Sequence, residues 1–578
     1  MANKPEQKMG NFMRSLCMGD ISEEIVFPFP KMKQEEGEAV KALIDSLGSW
    51  LKGREKDFRD WDVKGEQPKA FINEMKEFGL FGLIIPEEFG GMGFSSTAYS
   101  RSLQELARHD GSLALTAGAH SSIGMRGLLL FGTDAQKQKY FPKLVTGEMI
   151  AAFCLTEPGA GSDAASLLTK AVKKGDKWVL NGEKLWITNG GIADFFTVFA
   201  ATDSPEGKMT AFIVTRDMKG LTTGPHEDKM GIRASCTTTV ILKDVEVPAD
   251  HVLGDVGKGF KIAMRILNSG RTGLGGGAIG AMKKSIALAS KQAKERKQFG
   301  RSISEYGLVK QKLGQMMIDI YVTEAVVNMV AGIIDQGYED YAVEAAISKV
   351  LASECLWKTI DEALQIAGGN GYMREFPYER IMRDARINRI FEGTNEILRL
   401  FIALTAMNDV GQNLKEVANV MQDPIKGFGV LSDYARRRVT QATGIGKSQM
   451  TKAHPSLKQH ASTFEELTQS LSSAADRILR KHGKKIIEKQ FATKRLADIM
   501  VDMYSLACVI SRVTTTIQEK GEAGAKNERL ILDAFASQVS KRVDANLKKI
   551  DDNDDEEIKQ LADFAVEKEG YPWDILPT

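Results

Sequence analysis

The chain has 578 residues, with 77 lysines and arginines against 76 aspartates and glutamates, so its formal net charge at pH 7 is +1. This length suggests two to four domains, and the near-neutral balance gives no global field that would recruit nucleic acid. Five cysteines without zinc-ligand or redox-motif spacing indicate a reducing compartment and no metal site. They are Cys17, Cys154, Cys236, Cys355 and Cys508.

Targeting and membrane signals are weak in this sequence. No apolar run reads as long enough to span a bilayer. The first residues mix Lys4 and Arg14 with Glu6 and Asp20 instead of placing a charged segment before an apolar one. We therefore expect a cytoplasmic protein of bacterial type.

The first two segments differ in their hydrophobic period. After an N-terminal extension of residues 1–37, apolar residues recur at helical spacing through residues 38–149. Residues 150–257 instead hold short β-branched and aromatic runs such as TAFIVT, separated by turn pairs such as Asn181-Gly182. The pattern predicts a helical domain followed by a small antiparallel barrel or sandwich.

Helical spacing returns in residues 258–410, which predicts a helical bundle, and continues in a further segment, residues 411–578. The two segments share an internal similarity. RLADIMVDMYSLACVISRV, from Arg495, matches KLGQMMIDIYVTEAVVNMV, from Lys312, at six of nineteen positions. Either two amphipathic helices share a period, or the last segment is a degenerate copy of the bundle. Such a copy would be catalytically empty.

A glycine-rich segment, GLGGGAIG, contains G-x-G-x-x-G at Gly275, Gly277 and Gly280, with Glu295 near the expected acidic position. That dinucleotide-binding fingerprint requires a strand before the first glycine, whereas the preceding FKIAMRILNSGR has a helical pattern. The glycines therefore predict close helix packing.

Three other motifs point to a ligand site. AAFCLTEPGAGSDAA, from Ala151, places small and hydroxyl residues in a turn that a ligand can approach closely, and KLWITNGG, from Lys184, sets an indole on a strand. The third motif joins the glycine-rich QIAGGNG to INRIFEGTNEILR, from Ile387. Its single acidic side chain before the threonine, Glu392, lies between Phe391 and a glycine, which is an unusual choice for a solvated loop.

In this order, the three motifs resemble those of acyl-CoA dehydrogenases, and most of all the very-long-chain members with an extra C-terminal domain. The likeness covers roughly residues 38–407. It implies a mainly α fold with a central β domain, made of an N-terminal helical domain, a β-barrel, a C-terminal four-helix bundle and an extra helical C-terminal domain. It also implies FAD, held between the β domain and the bundle and completed by the other subunit of a homodimer.

The resemblance further implies the reaction. The protein would be an FAD-dependent oxidoreductase of fatty acid β-oxidation that converts long or very-long straight-chain acyl-CoA thioesters to trans-2-enoyl-CoA. Its electrons would pass to an electron-transfer flavoprotein. Two rival functions remain on the same fold: an acyl-CoA oxidase that reduces oxygen directly, and an assembly or scaffold protein that uses the extra helical domain for binding.

By the same resemblance, Glu392 is the base that removes the α-proton of the substrate. Burial beside Phe391 would raise the pKa of its carboxyl from about 4.3, which makes it a stronger base. The alternative is that Glu392 only caps a helix near Thr394. Some members place the base just before an arginine in the helix after the β domain. That position is Gly270 here, so Arg271 would support the pocket electrostatically.

Ligand contacts also carry over from the matching motifs. The expected cofactor contacts are Phe153, Leu155, Thr156, Ser162, Trp186, Thr188, Arg296, Gln298, Phe299, Gln365, Gly368, Gly369, Thr394 and Glu396. The expected substrate contacts are Ser162, Asn268, Arg271, Phe391, Gly393, Ala117, Gly118 and Ala119.

Two segments bear on substrate length and on membrane contact. Ala117, Gly118 and Ala119 remove volume from a helix that carries larger polar residues in medium-chain relatives, which predicts acyl chains of about fourteen carbons and above. Residues 434–464 hold six lysines and arginines and no acidic residue. As a loop, this segment would contact an anionic membrane surface, such as the inner membrane, or would serve only as a solvated linker.

Overall fold

The computed structural model describes residues 11–203, 208–420 and 428–575. Up to residue 149 the described chain is helical. Its helices are α1 (Phe12–Met18), α2 (Glu23–Val26), α3 (Gln34–Leu51), α4 (Glu55–Lys64), α5 (Lys69–Glu77), α6 (Ser96–His109), α7 (Gly111–Gly118), α8 (Arg126–Phe131) and α9 (Asp134–Val145). A π-helical turn, Ala119–Gly124, follows α7.

Apolar stripes explain how α3 to α9 assemble. In α3 the buried residues include Leu47 and Leu51, one turn apart, and in α6 they include Leu103. Helix α9 begins with a capping box, in which Thr133 and Gln136 satisfy each other's backbone N–H groups. These helices share one hydrophobic core with the adjoining face of the sheet that follows.

The sheet contains β1 (Ala151–Cys154), β2 (Lys170–Lys174), β3 (Lys177–Thr188), β4 (Phe195–Ala201), β5 (Met209–Thr215), β6 (Leu221–Thr223), β7 (Thr237–Pro248) and β8 (Val252–Leu253). In the described residues its order is β6-β7-β3-β2-β4-β5-β8, with β1 beside β4. The β1–β4 pair is parallel, so the prediction of a wholly antiparallel sheet is wrong in detail. Strands β2 and β3 lie between β1 and β4 in the sequence, so the chain has room to turn back before β4, which runs in the same direction as β1.

The bundle follows the sheet. It contains α10 (Gly259–Glu295), α11 (Gly307–Asp335), α12 (Ala342–Ala367), α13 (Gly369–Tyr372), α14 (Tyr378–Arg386) and α15 (Asn395–Ala406), with a hairpin of β9 (Lys297–Gln298) and β10 (Arg301–Ser302). The glycine-rich segment lies within α10, and a Cβ on Gly276 or Gly280 would collide with the Ser100 or Gln104 carbonyl of α6. Close helix packing is therefore confirmed as the reason for these glycines.

The C-terminal segment is also helical. It contains α16 (Asn408–Val420), α17 (Phe428–Thr443), α18 (Lys458–His482), α19 (Gln490–Gly524), α20 (Lys526–Lys549) and α21 (Asp555–Glu567). Residues of α1, α11, α12, α15 and α18 to α20 form one core, in which the Phe12 ring lies 5.9 Å from the Tyr504 ring. The two matching sequences lie within α11 and α19, which pack against each other. Their common origin stays a prediction.

The basic segment, residues 434–464, is not a loop. It begins inside α17, crosses a connection and ends inside α18. Two of its arginines contact the protein: Arg437 donates to the Asn413 side chain at 2.7 Å, and Arg438 lies 3.3 Å from Asp476. The helical period turns these side chains inward, which the composition alone did not show.

Helix α11 qualifies by length and composition as a bilayer-spanning helix, so the expectation that no apolar run is long enough is wrong for Gly307–Asp335. More than half of its most apolar window is buried inside the protein. Its apolar character therefore has an explanation in bundle packing.

Candidate active site

A cavity of about 430 Å³ lies where α6, α7, α10 and α14 meet the sheet. Most of its lining is apolar, and it gathers residues that are far apart in the sequence. The sequence-predicted residues that line it are Gly118, Ala119, Phe153, Leu155, Thr156, Ser162, Trp186, Thr188, Asn268, Arg271, Phe391, Glu392 and Gly393. The first two motifs and the INRIFEGTNEILR part of the third therefore converge on one space, although the roles of their residues remain predictions.

The other predicted contacts lie away from this cavity. Ala117 is buried in the core and is not among the residues that line the cavity, so its place in the acyl wall stays a prediction. The remaining residues are at the surface of the bundle or at the start of α15. They are Arg296, Gln298, Phe299, Gln365, Gly368, Gly369, Thr394 and Glu396. The side chain of Phe299 is almost fully solvent-accessible.

Glu392 occupies a strained turn between α14 and α15. Its φ is 55° and that of Gly393 is 90°, so two consecutive residues adopt the left-handed region that side chains disfavour. Thr394, whose hydroxyl accepts from the Ile397 N–H at 3.3 Å, caps α15. The cap is therefore not Glu392, and the alternative reading of this residue as a helix cap is wrong.

One oxygen of the Glu392 carboxyl, Oε2, is buried and, within the described part of the chain, has no hydrogen-bond partner. Burial raises the pKa of this carboxyl, while the charges of Arg271 and Lys349 oppose the rise. A carboxylate that gives up hydration without receiving donors in return is a strong base.

Arg271 lies on α10 and is 5% exposed. Burial lowers the pKa of its guanidinium to about 10, against the attraction of Glu392 and Tyr341. Its Nη1 donates to the Asn268 side chain at 2.5 Å, whereas its Nε is buried without a partner among the described residues. The site thus contains two groups of opposite charge, each with a buried atom that lacks a hydrogen-bond partner among the described residues. A polar ligand could supply these partners.

The wall formed by the sheet fits a flavin ring. Trp186 has a φ of 56° and remains 62% exposed, so its indole is presented on the cavity rather than packed in a core. Thr156 and Ser162 add hydroxyl groups to the same wall. Beside them, Gly159 and Gly161 have no atom within 4 Å of a hypothetical Cβ, which leaves open space for a planar ligand.

A buried ion pair holds the loop of that wall in place. The Lys184 ammonium donates to Glu157 at 2.7 Å and to the Leu155 carbonyl at 3.3 Å. Glu157 also accepts from the N–H groups of Leu168 and Thr169. Three chain segments are therefore fixed around one carboxylate, directly behind Leu155 and Thr156.

Sequence reasoning missed a second buried lysine, Lys349 of α12. It is fully buried and donates to the Gly393 carbonyl at 2.8 Å and to the Asn395 side chain at 2.9 Å. Its only sequence signal is a lysine inside the apolar AAISKVLAS, on what becomes a core-facing position. An amphipathic helix reading would have assigned it to a solvated face.

A carboxyl with a buried, unpaired oxygen among the described residues, a buried arginine and a wall with space for a planar ring fit a flavin-dependent oxidoreductase. The family models agree over most of the chain. "Acyl-CoA dehydrogenase, N-terminal domain" matches residues 38–148, the middle domain 152–245 and the C-terminal domain 257–407. The model described as "ACAD9/ACADV, C-terminal domain" matches residues 455–571. The chain belongs to the acyl-CoA dehydrogenase family, whose members use FAD.

Similar proteins support the same assignment. The very long-chain specific acyl-CoA dehydrogenase of Homo sapiens mitochondria is 41% identical, over 93% of this chain and 84% of that protein. An acyl-CoA dehydrogenase complexed with FAD from Bacillus anthracis has a TM-score of 0.80 and 32% identity, over 93% of this chain and 91% of the other. Butyryl-CoA dehydrogenase from Megasphaera elsdenii has a TM-score of 0.62 and 38% identity, over 64% and 98% respectively.

Proposed function

We propose that the protein dehydrogenates long or very-long straight-chain acyl-CoA thioesters to trans-2-enoyl-CoA and passes the electrons to an electron-transfer flavoprotein. One observation carries the proposal: Glu392, whose Oε2 is buried without a hydrogen-bond partner among the described residues, lines a mostly apolar cavity. The carboxyl supplies a base for a carbon acid, and the cavity supplies room for an acyl chain.

Glu392 is the group that takes the substrate's α-proton. Because burial raises the pKa of its carboxyl, the ionised form holds a proton more strongly than a solvated glutamate does. Bound FAD supplies the acceptor for the β-hydrogen, which leaves as hydride. The two C–H electron pairs are thereby redistributed: one forms the new C=C bond and the other leaves with the hydride.

The developing negative charge at the thioester oxygen needs donors. In the described part of the chain, the backbone N–H of Glu392 donates to no protein acceptor, so it is free to bind that oxygen. The positive φ of Glu392 sets the direction of this N–H. Arg271 stabilises the ionised base, and its unpartnered Nε adds a donor within the same cavity.

The wall contributed by α10 supports a long acyl chain. Arg271, Leu274, Ala278, Ala281 and Lys284 line the cavity at intervals of three or four residues. Thirteen residues of helix at about 1.5 Å each make this stripe roughly 20 Å long. A mostly apolar stripe of this length supports a long acyl chain as the occupant.

A ladder of acyl-CoAs tests cofactor, chemistry and chain length together. Purified protein should show a flavin absorption spectrum that bleaches under anaerobic conditions when palmitoyl-CoA is added, and more slowly with octanoyl-CoA. A clear preference for octanoyl-CoA would reject the long-chain proposal. An absence of bleaching with every straight-chain substrate would reject the proposed activity.

The electron acceptor separates the dehydrogenase from the oxidase. After reduction by substrate, the flavin of a dehydrogenase should stay reduced in air for much longer than one substrate oxidation takes. An electron-transfer flavoprotein should reoxidise it rapidly. Stoichiometric hydrogen peroxide at the rate of substrate oxidation would instead identify an oxidase. The assembly or scaffold role finds no specific observation in its favour.

We include a homodimer in the proposal because predicted cofactor contacts lie on exposed surface. Phe299 is 94% exposed and Tyr372, near Gly368 and Gly369 in sequence, is 80% exposed. A second copy would cover these rings and complete the cofactor site from outside. Light scattering should give twice the chain mass, and Phe299→Asp should shift the protein toward monomer with loss of flavin.

Membrane contact and a bacterial-type cytoplasmic location complete the proposal. Because Arg437 and Arg438 contact the protein, membrane attraction through residues 434–464 depends on exposed cations such as Arg436 and Lys452. Each would contribute about 1 kcal/mol at an anionic surface. Neutralising both should lower co-sedimentation with phosphatidylglycerol vesicles, and unchanged co-sedimentation would remove the membrane from the proposal.

A further inference from the structure

We propose that Lys349 is a positioning residue for the reaction: it holds the turn that carries Glu392 and, through its charge, keeps the base ionised. The inference rests on the proposed role of Glu392. The geometry is specific, because a fully buried ammonium donates to the carbonyl of Gly393, the residue after the base. Its second acceptor, Asn395, lies in the first turn of α15.

The two hydrogen bonds fix the C-terminal end of the strained part of the turn. Glu392 and Gly393 adopt positive φ values, which cost free energy and persist only where the surroundings fix them. Lys349 binds the chain on the far side of both residues. Asn395 is itself fixed, since its amide donates to Ser353 and Glu354 of α12 at 2.9 Å each. Helix α12 thus clamps the turn through three side chains.

The surroundings of Lys349 shift the pKa of its ammonium group. Burial lowers the pKa of its ammonium to about 7, and the positive charge of Arg271 acts in the same direction. The carboxylates of Glu392, Glu396 and Glu354 oppose the shift. Glu392 in turn responds to Arg271 and Lys349, from two different helices. Removal of the ammonium leaves one of the two cations that favour the ionised base.

Two roles can therefore be separated experimentally. A purely structural lysine would affect folding and flavin content but would leave the ionisation of Glu392 unchanged. A positioning lysine must move the acid limb of the kcat/KM profile, which reports the pKa of the base in the free enzyme. Loss of a nearby positive charge raises that pKa, so the acid limb moves to higher pH.

The test compares Lys349→Met, Lys349→Gln and Lys349→Arg with Lys358→Met, which makes the same change on an exposed turn of α12. Lys349→Met should lower kcat about 10- to 100-fold with KM for palmitoyl-CoA changed less than about threefold. Its acid limb should move up by roughly one pH unit. Lys349→Arg should keep the acid limb near its original position and recover part of kcat, and Lys358→Met should match the original protein in all respects.

Lys349→Gln keeps a donor without the charge, and it covers the case in which the methionine variant fails to fold. Its acid limb should also move to higher pH, with a smaller loss of kcat. Thermal unfolding and the flavin spectrum of each variant report folding and cofactor retention separately from activity. An acid limb that stays in place in Lys349→Gln, in protein with a full flavin spectrum, overturns the inference.

Glu392→Gln distinguishes this inference from the proposed function. If that variant retains turnover, Glu392 is not the base and both ideas fall. If Glu392→Gln is inactive while the Lys349 variants keep the original pH profile, only the role of Lys349 is rejected.

Discussion

The bundle and the C-terminal segment are both helical and pack on each other, yet they differ in whether a buried carboxylate forms ion pairs. In the bundle, Glu392 has an enclosed oxygen without a donor, and burial raises its pKa. In the C-terminal segment, Asp476 also has a buried oxygen without a partner among the described residues, Oδ1, but its Oδ2 lies 3.3 Å from Arg438 and 2.8 Å from Arg480. Glu392 therefore remains able to accept a proton, whereas Asp476 links α17 to α18.

Packing differs in the same sense. The faces of α10 and α6 that line the cavity carry small residues, including Gly277, Ala281 and Ala107, and leave space between them. In α19 the inward residues include Leu506 and Tyr504, which fill the core completely. Around the cavity, the bundle leaves space between its helices and leaves Glu392 without an ion pair among the described residues. The C-terminal segment has a closely packed core and pairs Asp476 with two arginines.

The largest expected effect comes from Glu392→Gln, which should lower turnover of palmitoyl-CoA by about 10³-fold or more because the amide cannot accept the α-proton. Stability should be unchanged or higher at pH 7. The folded pKa of Glu392 is raised, so its ionisation costs stability as pH rises from the ordinary value of 4.5 through the folded pKa. Steady-state kinetics and thermal unfolding at pH 5 and pH 7.5 measure both effects.

Asp476→Asn provides the matched comparison for that carboxylate. It should leave turnover unchanged and lower the free energy of unfolding by about 1–2 kcal/mol, because both arginines lose a partner while their own groups can still reach water. If Asp476→Asn proved harmless and Glu392→Gln unfolded the protein, the contrast between the two regions would be broken.

A second large effect is expected at the ion pair behind the flavin wall. Lys184→Met strands the Glu157 carboxylate in a dry site and should cost about 3–5 kcal/mol of folding free energy, together with weaker flavin retention. Adding Glu157→Gln should recover part of that loss. The exposed pair of Lys177 and Glu246 on the same sheet serves as the control, since Lys177→Met should cost less than about 1 kcal/mol. Equal losses at the two pairs would contradict the argument from burial.

Much of the fold could be predicted from the spacing of apolar residues, because this spacing differs between helices and strands and marks their buried faces. The glycines of α10 also follow, since a helical pattern before them excludes a nucleotide loop and leaves helix contact as the reason. The parallel pairing of β1 with β4 does not follow. Strand order depends on contacts between distant segments, and no local pattern around Ala151 or Phe195 encodes it.

The site was predictable in part from the resemblance to a known family. Glu392 and Trp186 lie in two of the matching motifs, the resemblance implied Arg271, and the structure brings all three to one cavity. Lys349 was not predictable, because its partner is a main-chain carbonyl, which every residue possesses. Ala117 was assigned to the acyl wall from its size, but which face of α7 looks inward is decided by how that helix is rotated in the core.

Filling the cavity should change specificity more than stability. Ala281→Phe places a ring in the acyl tunnel and should lower kcat/KM for palmitoyl-CoA about 10- to 100-fold, with little effect on octanoyl-CoA, because only the longer chain reaches that turn of α10. Unfolding should be nearly unaffected, since the space is empty. Leu506→Ala in the filled core is the counterpart and should cost about 2–5 kcal/mol without altering chain preference. A uniform loss for all chain lengths would remove Ala281 from the tunnel.

A pH-dependent effect is expected where the bundle contacts the N-terminal residues: Glu344 of α12 accepts from the Met13 N–H at 3.1 Å and from the Asn11 side chain at 2.9 Å. Burial raises the pKa of Glu344 from 4.5 to about 7, against those hydrogen bonds. The folded protein then binds more protons than the unfolded chain between these values, so stability should fall by about 3 kcal/mol as pH rises through this window and level off above it. Denaturant titrations at pH 5 and pH 8 measure the change, and Glu344→Gln should flatten it. An identical slope in that variant would assign the pH dependence to Glu392 and other buried carboxyls of the bundle instead.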